Sequence, residues 1–240
     1  MRIVSLVPSI TETLFDFGLN HEQIVGRTKF CIHPENEVTK VQIIGGTKNI
    51  HIDKIKALQP DLIIANKEEN VKEQVEELMP DFNVMLTNVE NIEDNYYFIK
   101  SIGRLLSEEE RAKKFCLKTY ESLYETKTTQ AYKVAYLIDP YMTIGSDTFI
   151  HHILTELGFD NQFKNHNRYP IVELSDLKDV DLIFLSSEPF PFREKHAEEL
   201  RSKFPEKKII LVDGEAFSWF GTRVAKCGTY YRELIDTVER

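Results

Sequence analysis

SEEERAKKFCLKTYESLYET, residues 107–126, is the stretch that organises the chain. Ser107 and Glu110 have the spacing of a capping box, in which each side chain satisfies an orphan amide at a helix start. The acids come first and Lys113, Lys114 and Lys118 follow, which suits the helix dipole. Glu109 to Lys113 and Glu110 to Lys114 stand in the favoured i,i+4 order. Ala112, Phe115, Cys116, Thr119 and Leu123 recur at helical spacing and predict one less polar face. With no Pro or Gly inside it, the segment predicts a rod of roughly 30 Å, at about 1.5 Å per residue. Alternating strand-like and helix-like segments lie on both sides. The stretch therefore reads as a connector between two α/β halves, and a connector implies a cleft. An ordinary surface helix of one domain has the same pattern.

The 240 residues are enough for one large domain or two lobes. A hydrophobic content of 42% supports a sizeable core. The net charge of −9 argues against nucleic acid, whose phosphates need clustered Lys and Arg. The longest apolar runs are too short to span a membrane. Met1-Arg2 leads directly into Ile3-Val4-Ser5-Leu6-Val7-Pro8, without the pattern of a signal peptide. The expectation is a cytoplasmic protein, or a periplasmic or cell-surface one if a leader has been removed. Three cysteines, Cys31, Cys116 and Cys227, fit a reduced compartment without requiring one.

Outward from the connector, Ile92–Leu106 predicts a helix and Gly103 a break before the next one. Upstream, strands are expected near 3–7, 24–28, 61–65 and 84–86. A helix from Pro8 has Ser9 as N-cap, Glu12 closing its capping box and Gly18 at its end. Downstream, strands fall near 134–138, 181–185 and 209–212, with helices over 149–157, 194–203 and 229–238. Residues 52–65 line up with 174–186, and each copy continues into a loop, a helix carrying Glu-Glu-Leu and a strand. Four matched elements in one order predict two parallel-sheet units of similar build. The expected architecture is α/β: a lobe over 1–90, a helical connector over 91–130 containing the 107–126 helix, and a second lobe over 131–240.

In open parallel sheets, ligands bind outside the carboxyl ends of the strands. That selects Pro8–Thr11, Lys29–His33, Gly45–Thr47 and Asn66–Glu69 in the first lobe. In the second it selects Asp139–Thr148, Ser187–Phe192 and Gly214–Arg223. These loops hold Tyr141, Phe190, Phe192, Phe217, Trp219 and Phe220, although loops run over the surface and normally carry few large apolar groups. Apolar walls with a few polar groups suit a large flat ligand. Phe190 and Phe217 read as plugs on their own lobe, whereas Trp219 and Phe220, beside Gly221 and Arg223, read as ligand contacts. Cys31 and His33 form a Cys-x-His pair, but a closed metal site needs four ligands and no second pair has matching spacing. His33 stays a candidate axial ligand or hydrogen-bond donor to a metal complex. No Gly-x-Ser-x-Gly, P-loop or Gly-x-Gly-x-x-Gly occurs, so an enzyme is not expected. The candidate ligand-binding residues are Ser9, Lys29, Cys31, His33, Gly46, Thr47, Tyr141, Met142, Ser187, Glu188, Phe192, Trp219, Phe220 and Arg223.

The chain resembles the helical-backbone metal receptor superfamily, the class III solute-binding proteins of ABC importers for cobalamin, ferric siderophores and haem. The matching residues are Ile3 to Glu12, Val25 to Cys31 with Pro34, Leu58-x-Pro60-Asp61-Leu62-Ile63, Gly145-x-x-Thr148-Phe149-Ile150 and Ser218-Trp219-Phe220-Gly221-x-Arg223. The cobalamin-binding branch is the most similar. The resemblance implies two α/β lobes joined by one long helix, a shallow cleft and no catalysis. It also implies no intrinsic cofactor, and a cobalt- or iron-containing complex as ligand. An ABC permease is the implied partner, and the protein is expected to be a monomer. Members dock their transporter through an acidic residue on each lobe. Here Lys72, Glu73 and Glu76 occupy that place in the first lobe, and Glu194, Glu198 and Glu199 are available in the second. A cytosolic carrier or sensor of corrinoids or metal complexes, undocked from any transporter, is the alternative reading.

Overall fold

Ile3-Val4-Ser5 (β1) is buried at every residue, as a central parallel strand covered on both faces must be. The computed structural model describes residues 1–240. After β1 come α1 (Pro8–Asp16), β2 (Ile24–Arg27), α2 (Glu35–Val38), β3 (Gln42–Ile43), β4 (Gly45–Gly46), β5 (Asn49–Ile50), α3 (Ile52–Leu58), β6 (Leu62–Asn66), α4 (Lys72–Leu78) and β7 (Val84–Thr87). Two long helices follow, α5 (Ile92–Leu106) and α6 (Glu109–Tyr124). The remainder is β8 (Lys133–Asp139), β9 (Met142–Thr143), α7 (Phe149–Glu156), β10 (Asp160–Asn161), β11 (Leu182–Ser186), α8 (Glu194–Lys203), β12 (Lys208–Val212), α9 (Gly214–Ser218) and α10 (Gly228–Glu239). Short 3-10 turns at Leu174–Leu177 and Val224–Lys226 complete it.

The chain divides into two units. The first comprises Met1–Val89, Glu93–Cys116 and Phe220–Arg223; the second comprises Glu90–Ile92, Leu117–Trp219 and Val224–Arg240. The division falls within α6. The first unit's main sheet has the order β3-β2-β1-β6-β7, all parallel. The second's runs β10-β8-β11-β12, also parallel, with β9 added antiparallel to β8. The matched segments of the duplication become β6-α4-β7 and β11-α8-β12. In each unit the two strands pair in unbroken parallel register.

The helix starts differ from expectation at two places. Ser107 has φ +57 and ends α5, its backbone N–H donating to Arg104 O and that of Glu108 to Gly103 O. It is therefore no N-cap of α6, and Lys113 pairs with Glu110 at 2.6 Å, one residue closer than the i,i+4 reading. In α1 the N-cap is Val7 without a side-chain bond, so Ser9 and Glu12 lie inside the helix and form no capping box. Pro8 explains the shift, since its fixed φ and missing N–H suit the first turn. The expected apolar face of α6 is present: Ala112, Thr119 and Leu123 are buried. A Cβ on Gly103 would come within 2.6 Å of Ala112 Cβ, so α5 and α6 meet closely because that residue is glycine. Residues 214–223, expected as a loop, contain α9, capped by the Asp213 carboxylate taking the Glu215 N–H at 3.0 Å.

Candidate functional site

In the first unit β1 is the point where the sheet order turns. The chain leaves it for β2 and β3 on one side and returns to β6 and β7 on the other, the geometry that opens a crevice above the strand ends. Two asparagines build that rim. Asn70 Nδ2 donates to Leu6 O at 3.1 Å and Thr47 O at 3.0 Å, and its Oδ1 accepts from Asn66 N at 2.9 Å. Asn66 Oδ1 in turn accepts from the amides of Glu68 and Glu69. Burial raises the Glu69 carboxyl; Lys48 opposes that and Glu68 adds to it.

The 28–34 loop is held from below by Arg27, whose buried guanidinium donates to Val38 O, Thr28 O and Cys31 O at 2.7, 3.2 and 3.0 Å. Cys31 is 1% exposed, and its thiol accepts from the Thr11 hydroxyl at 3.0 Å and lies 3.2 Å from that of Thr28. Burial pushes the thiol upward, more than these hydrogen bonds lower it, so it is a neutral core group rather than a thiolate ligand. His33 is half-buried, and no group of three or more His, Cys, Asp or Glu is placed to hold a metal ion. Ser9 and Thr47 are buried. What the loop presents to solvent is Lys29, Phe30 and Ile32, with Phe30 49% exposed. The Lys29 ammonium lies 4.9 Å from the Phe30 ring centroid. A Cβ on Gly46 would stand 3.3 Å from Phe30 Cε2, so this glycine seats the ring.

In the second unit the corresponding rim is an apolar ridge. Tyr141 is 71% exposed and Ile171 78%, and they are neighbours through the Met142–Ile171 bridge and the Val172 N–H to Tyr141 O bond of 2.9 Å. Met142 beside them is half-buried. Ser187 is exposed and its Oγ accepts from Gly214 N at 2.9 Å. Glu188 Oε1 accepts from Ser218 Oγ at 2.6 Å and from Trp219 Nε1 at 3.0 Å. Trp219 is only 7% exposed with its N–H so engaged, which differs from the open stacking face expected of it. Phe192 belongs to the second unit's core beside Leu137, Ile183 and Phe204, with its ring edge-on to Phe190. Phe190 and Phe217 plug their own unit, as read from the sequence.

Phe220 and Arg223 fall in the first unit. Phe220 packs edge-to-face on Phe98, centroids 5.2 Å apart, and Arg223 Nε lies 3.0 Å from the buried Glu12 carboxylate. Among the sequence-predicted residues, Lys29, His33, Gly46, Tyr141, Met142, Ser187 and Glu188 keep accessible surface at the strand ends. Ser9, Cys31, Thr47, Phe192, Trp219 and Phe220 are buried. Phe30, Ile32 and Ile171 were missed. For Phe30 and Ile32 the signal was present, since apolar residues in a strand-end loop singled out Tyr141. Ile171 lies far from β9 in sequence and only the pairing brings it there.

The sequence pattern described as periplasmic binding protein matches residues 3–206. The vitamin B12-binding protein of Salmonella choleraesuis is 25% identical over 181 residues, a match covering 72% of this chain and 66% of that protein's length. The crystal structure of the periplasmic vitamin B12 binding protein of Vibrio cholerae superposes with a TM-score of 0.83 at 18% identity, covering 100% of this chain and 98% of the other. The apo periplasmic heme-binding protein from Roseiflexus sp. RS-1 also gives 0.83, at 16% identity and with 100% and 99% covered. These structures share the fold of this chain. No helix is long and apolar enough to cross a membrane. The expectation of a cytoplasmic protein finds no support in these likenesses, which are to periplasmic binding proteins.

Proposed function

This chain belongs to the periplasmic binding protein family, and from that premise we propose that it captures a metal-bearing macrocycle or chelate for an ABC importer. A cobalamin-like corrinoid is the first ligand, with haem or a ferric siderophore after it. The observation that carries the reading is the likeness to vitamin B12-binding proteins across most of the chain. The strand-end loops support it: exposed Phe30 and Tyr141 offer ring faces, and Lys29 and Glu188 offer polar partners. The family is one of binding proteins, and no step of chemistry is needed of these residues. For the importer, the exposed acids of α4 (Glu73, Glu76) and α8 (Glu198, Glu199) are the proposed contacts. Lys72 lies 3.6 Å from Glu76, and on α8 Arg201 pairs with Glu194, which precedes these acids in the helix. The protein acts outside the cytoplasmic membrane in this reading.

A thermal-shift panel tests it. A ligand at about 100 times its Kd adds about 2.7 kcal/mol to a two-state protein. At about 2–4 °C per kcal/mol for a chain of this size, cyanocobalamin should raise Tm by roughly 5–10 °C. A flat response to cyanocobalamin, haemin and a ferric siderophore alike would remove the proposal.

A further inference from the structure

The segments that carry the Tyr141 and Ile171 ridge are held together by one buried side chain. Residues 143–146 pair with 166–170: Thr143 N–H donates to Pro170 O at 3.1 Å, Gly145 N–H to Arg168 O at 2.7 Å and Ser146 N–H to His166 O at 2.9 Å. Asn161, 1% exposed at the end of β10, ties Ile144 to the stretch that leads into 166–170. Its Nδ2 donates to Ile144 O at 3.0 Å, and its Oδ1 accepts from Phe163 N at 3.0 Å. These two backbone partners fix the amide's orientation, because turning it over would set oxygen against oxygen and N–H against N–H. Nδ2 therefore also faces His151 Nδ1, 3.2 Å away on α7, as a donor. His151 must accept there, so its proton sits on Nε2 and the ring is neutral.

A second ring proton would put Nδ1–H against the Asn161 amide N–H. Asn161 cannot turn without losing both backbone bonds, so the ring or the amide must move. His151 is half-buried, and with Thr155, Asp160 and Lys164 it lines a solvent-open cavity of about 470 Å³, so a proton can reach it. We propose that His151 and Asn161 form a proton-sensitive latch: protonation of His151 loosens the pairing of 143–146 with 166–170, and the ridge of Tyr141 and Ile171 loses its fixed place. The surroundings favour the closed, neutral form. Burial lowers the imidazole from its ordinary value of 6.5, His152 on the same helix and Lys164 lower it further, and Asp160 opposes them. Lys164 and Asp160 pair with each other at 2.6 Å, and α9, which also packs on α7, carries Glu215 as its only charge. With the folded value below the unfolded one, the latch contributes fully above pH 6.5 and its contribution is lost as pH falls from there towards the folded value. Resting on the function proposed above, ligand affinity then falls in acid, because Tyr141 offers a ring face only while its hairpin is held.

Amide hydrogen exchange of the full chain, without ligand, tests the latch. Protection at Gly145, Ser146 and Phe163, corrected for intrinsic exchange, should fall about tenfold between about pH 7 and pH 5. In His151→Asn, which offers an acceptor oxygen in place of Nδ1 but does not titrate in this range, it should change by less than about twofold. Nitrogen-15 NMR of the imidazole should show the Nε2–H tautomer at neutral pH. An Nδ1–H tautomer, a titration midpoint at or above 6.5, or the same loss of protection in both proteins overturns the latch. Calorimetric titration with cyanocobalamin, which is neutral, should give about fivefold weaker binding at the lower pH in the natural chain and less than about twofold in the variant. Constant affinity in the natural chain overturns the link to binding while the binding function stands. No cyanocobalamin binding at either pH counts against the function, and the exchange data still decide the latch.

Discussion

Truncating Trp219 to Ala should cost folding stability rather than ligand affinity alone. The indole is 7% exposed and donates to Glu188 Oε1 at 3.0 Å. Burying a Trp side chain removes on the order of 200 Å² from water. At about 25 cal/mol per Å² that amounts to about 5 kcal/mol as an upper value, reduced by the part Ala retains. The Ser218 hydroxyl, 2.6 Å from the same carboxylate oxygen, remains as a donor, so the lost hydrogen bond adds only about 1 kcal/mol. Large-to-small core changes of this type cost about 3–5 kcal/mol, and about 4 kcal/mol is the expected value here. The assay is urea unfolding followed by far-UV circular dichroism, because the variant lacks the chain's single tryptophan. Trp219→Phe, which keeps most of the volume, should recover most of the loss. A Trp219→Ala protein destabilised by less than about 1 kcal/mol, yet weakened in ligand binding by about 2 kcal/mol or more as a binding hot spot would be, refutes the argument.

Phe30→Ala should behave oppositely, changing unfolding free energy by less than about 1 kcal/mol while weakening chelate binding severalfold in titration, since the ring is half exposed. Gly221→Ala should destabilise the first unit by about 2–4 kcal/mol in the same denaturation assay. Its φ is +85, and an added Cβ would lie 2.1 Å from the Thr13 hydroxyl oxygen. Glu12→Ala removes the buried carboxylate opposite Arg223 and should cost about 3–5 kcal/mol, whereas Glu73→Ala on exposed α4 should change stability by about 0.5 kcal/mol or less. Stability should also fall in alkali. Burial holds the Tyr136 and Tyr231 hydroxyls well above their usual range and raises the Cys31 thiol. The folded state thus keeps protons that the unfolded chain releases. Their contribution is full below the unfolded values, near pH 9 for the thiol and pH 10 for the phenols, and is lost as pH rises through the folded ones. Unfolding free energies measured across pH 8–11 check the sign, and a rise over that range contradicts it.

Periodicity made the architecture legible, because strands such as Ile63-Ile64-Ala65 and Leu182 to Leu185 are continuous apolar runs that fit only a sheet covered on both faces. The repeated order of elements then predicted two like units. Helix starts were less legible. Ser9 and Ser107 both satisfy the capping pattern, but Pro8 claims the first turn of α1, and Ser107 is taken up in the left-handed ending of α5. Local sequence does not record which of two adjacent helices a residue terminates. Exposure was the least legible property. Trp219 and Tyr141 are both aromatics in strand-end segments, yet one is buried and the other projects. The difference is tertiary: Trp219 closes α9 against Glu188, a residue from the preceding strand-end loop, while Tyr141 sits at the tip of the β8–β9 hairpin with its backbone engaged by Val172. Arg223 likewise reads as a ligand clamp until Glu12, remote in sequence, is placed beside it.

Capture of a metal chelate is the central claim, and isothermal titration of the purified chain with cyanocobalamin addresses it most directly. The expected result is saturable binding at one site per chain with a Kd of about 10 µM or tighter, worth about −7 kcal/mol. Absence of a binding isotherm up to about 0.1 mM, where even an affinity of about −5.5 kcal/mol would register, with cobinamide, haemin and ferrioxamine equally silent, contradicts it.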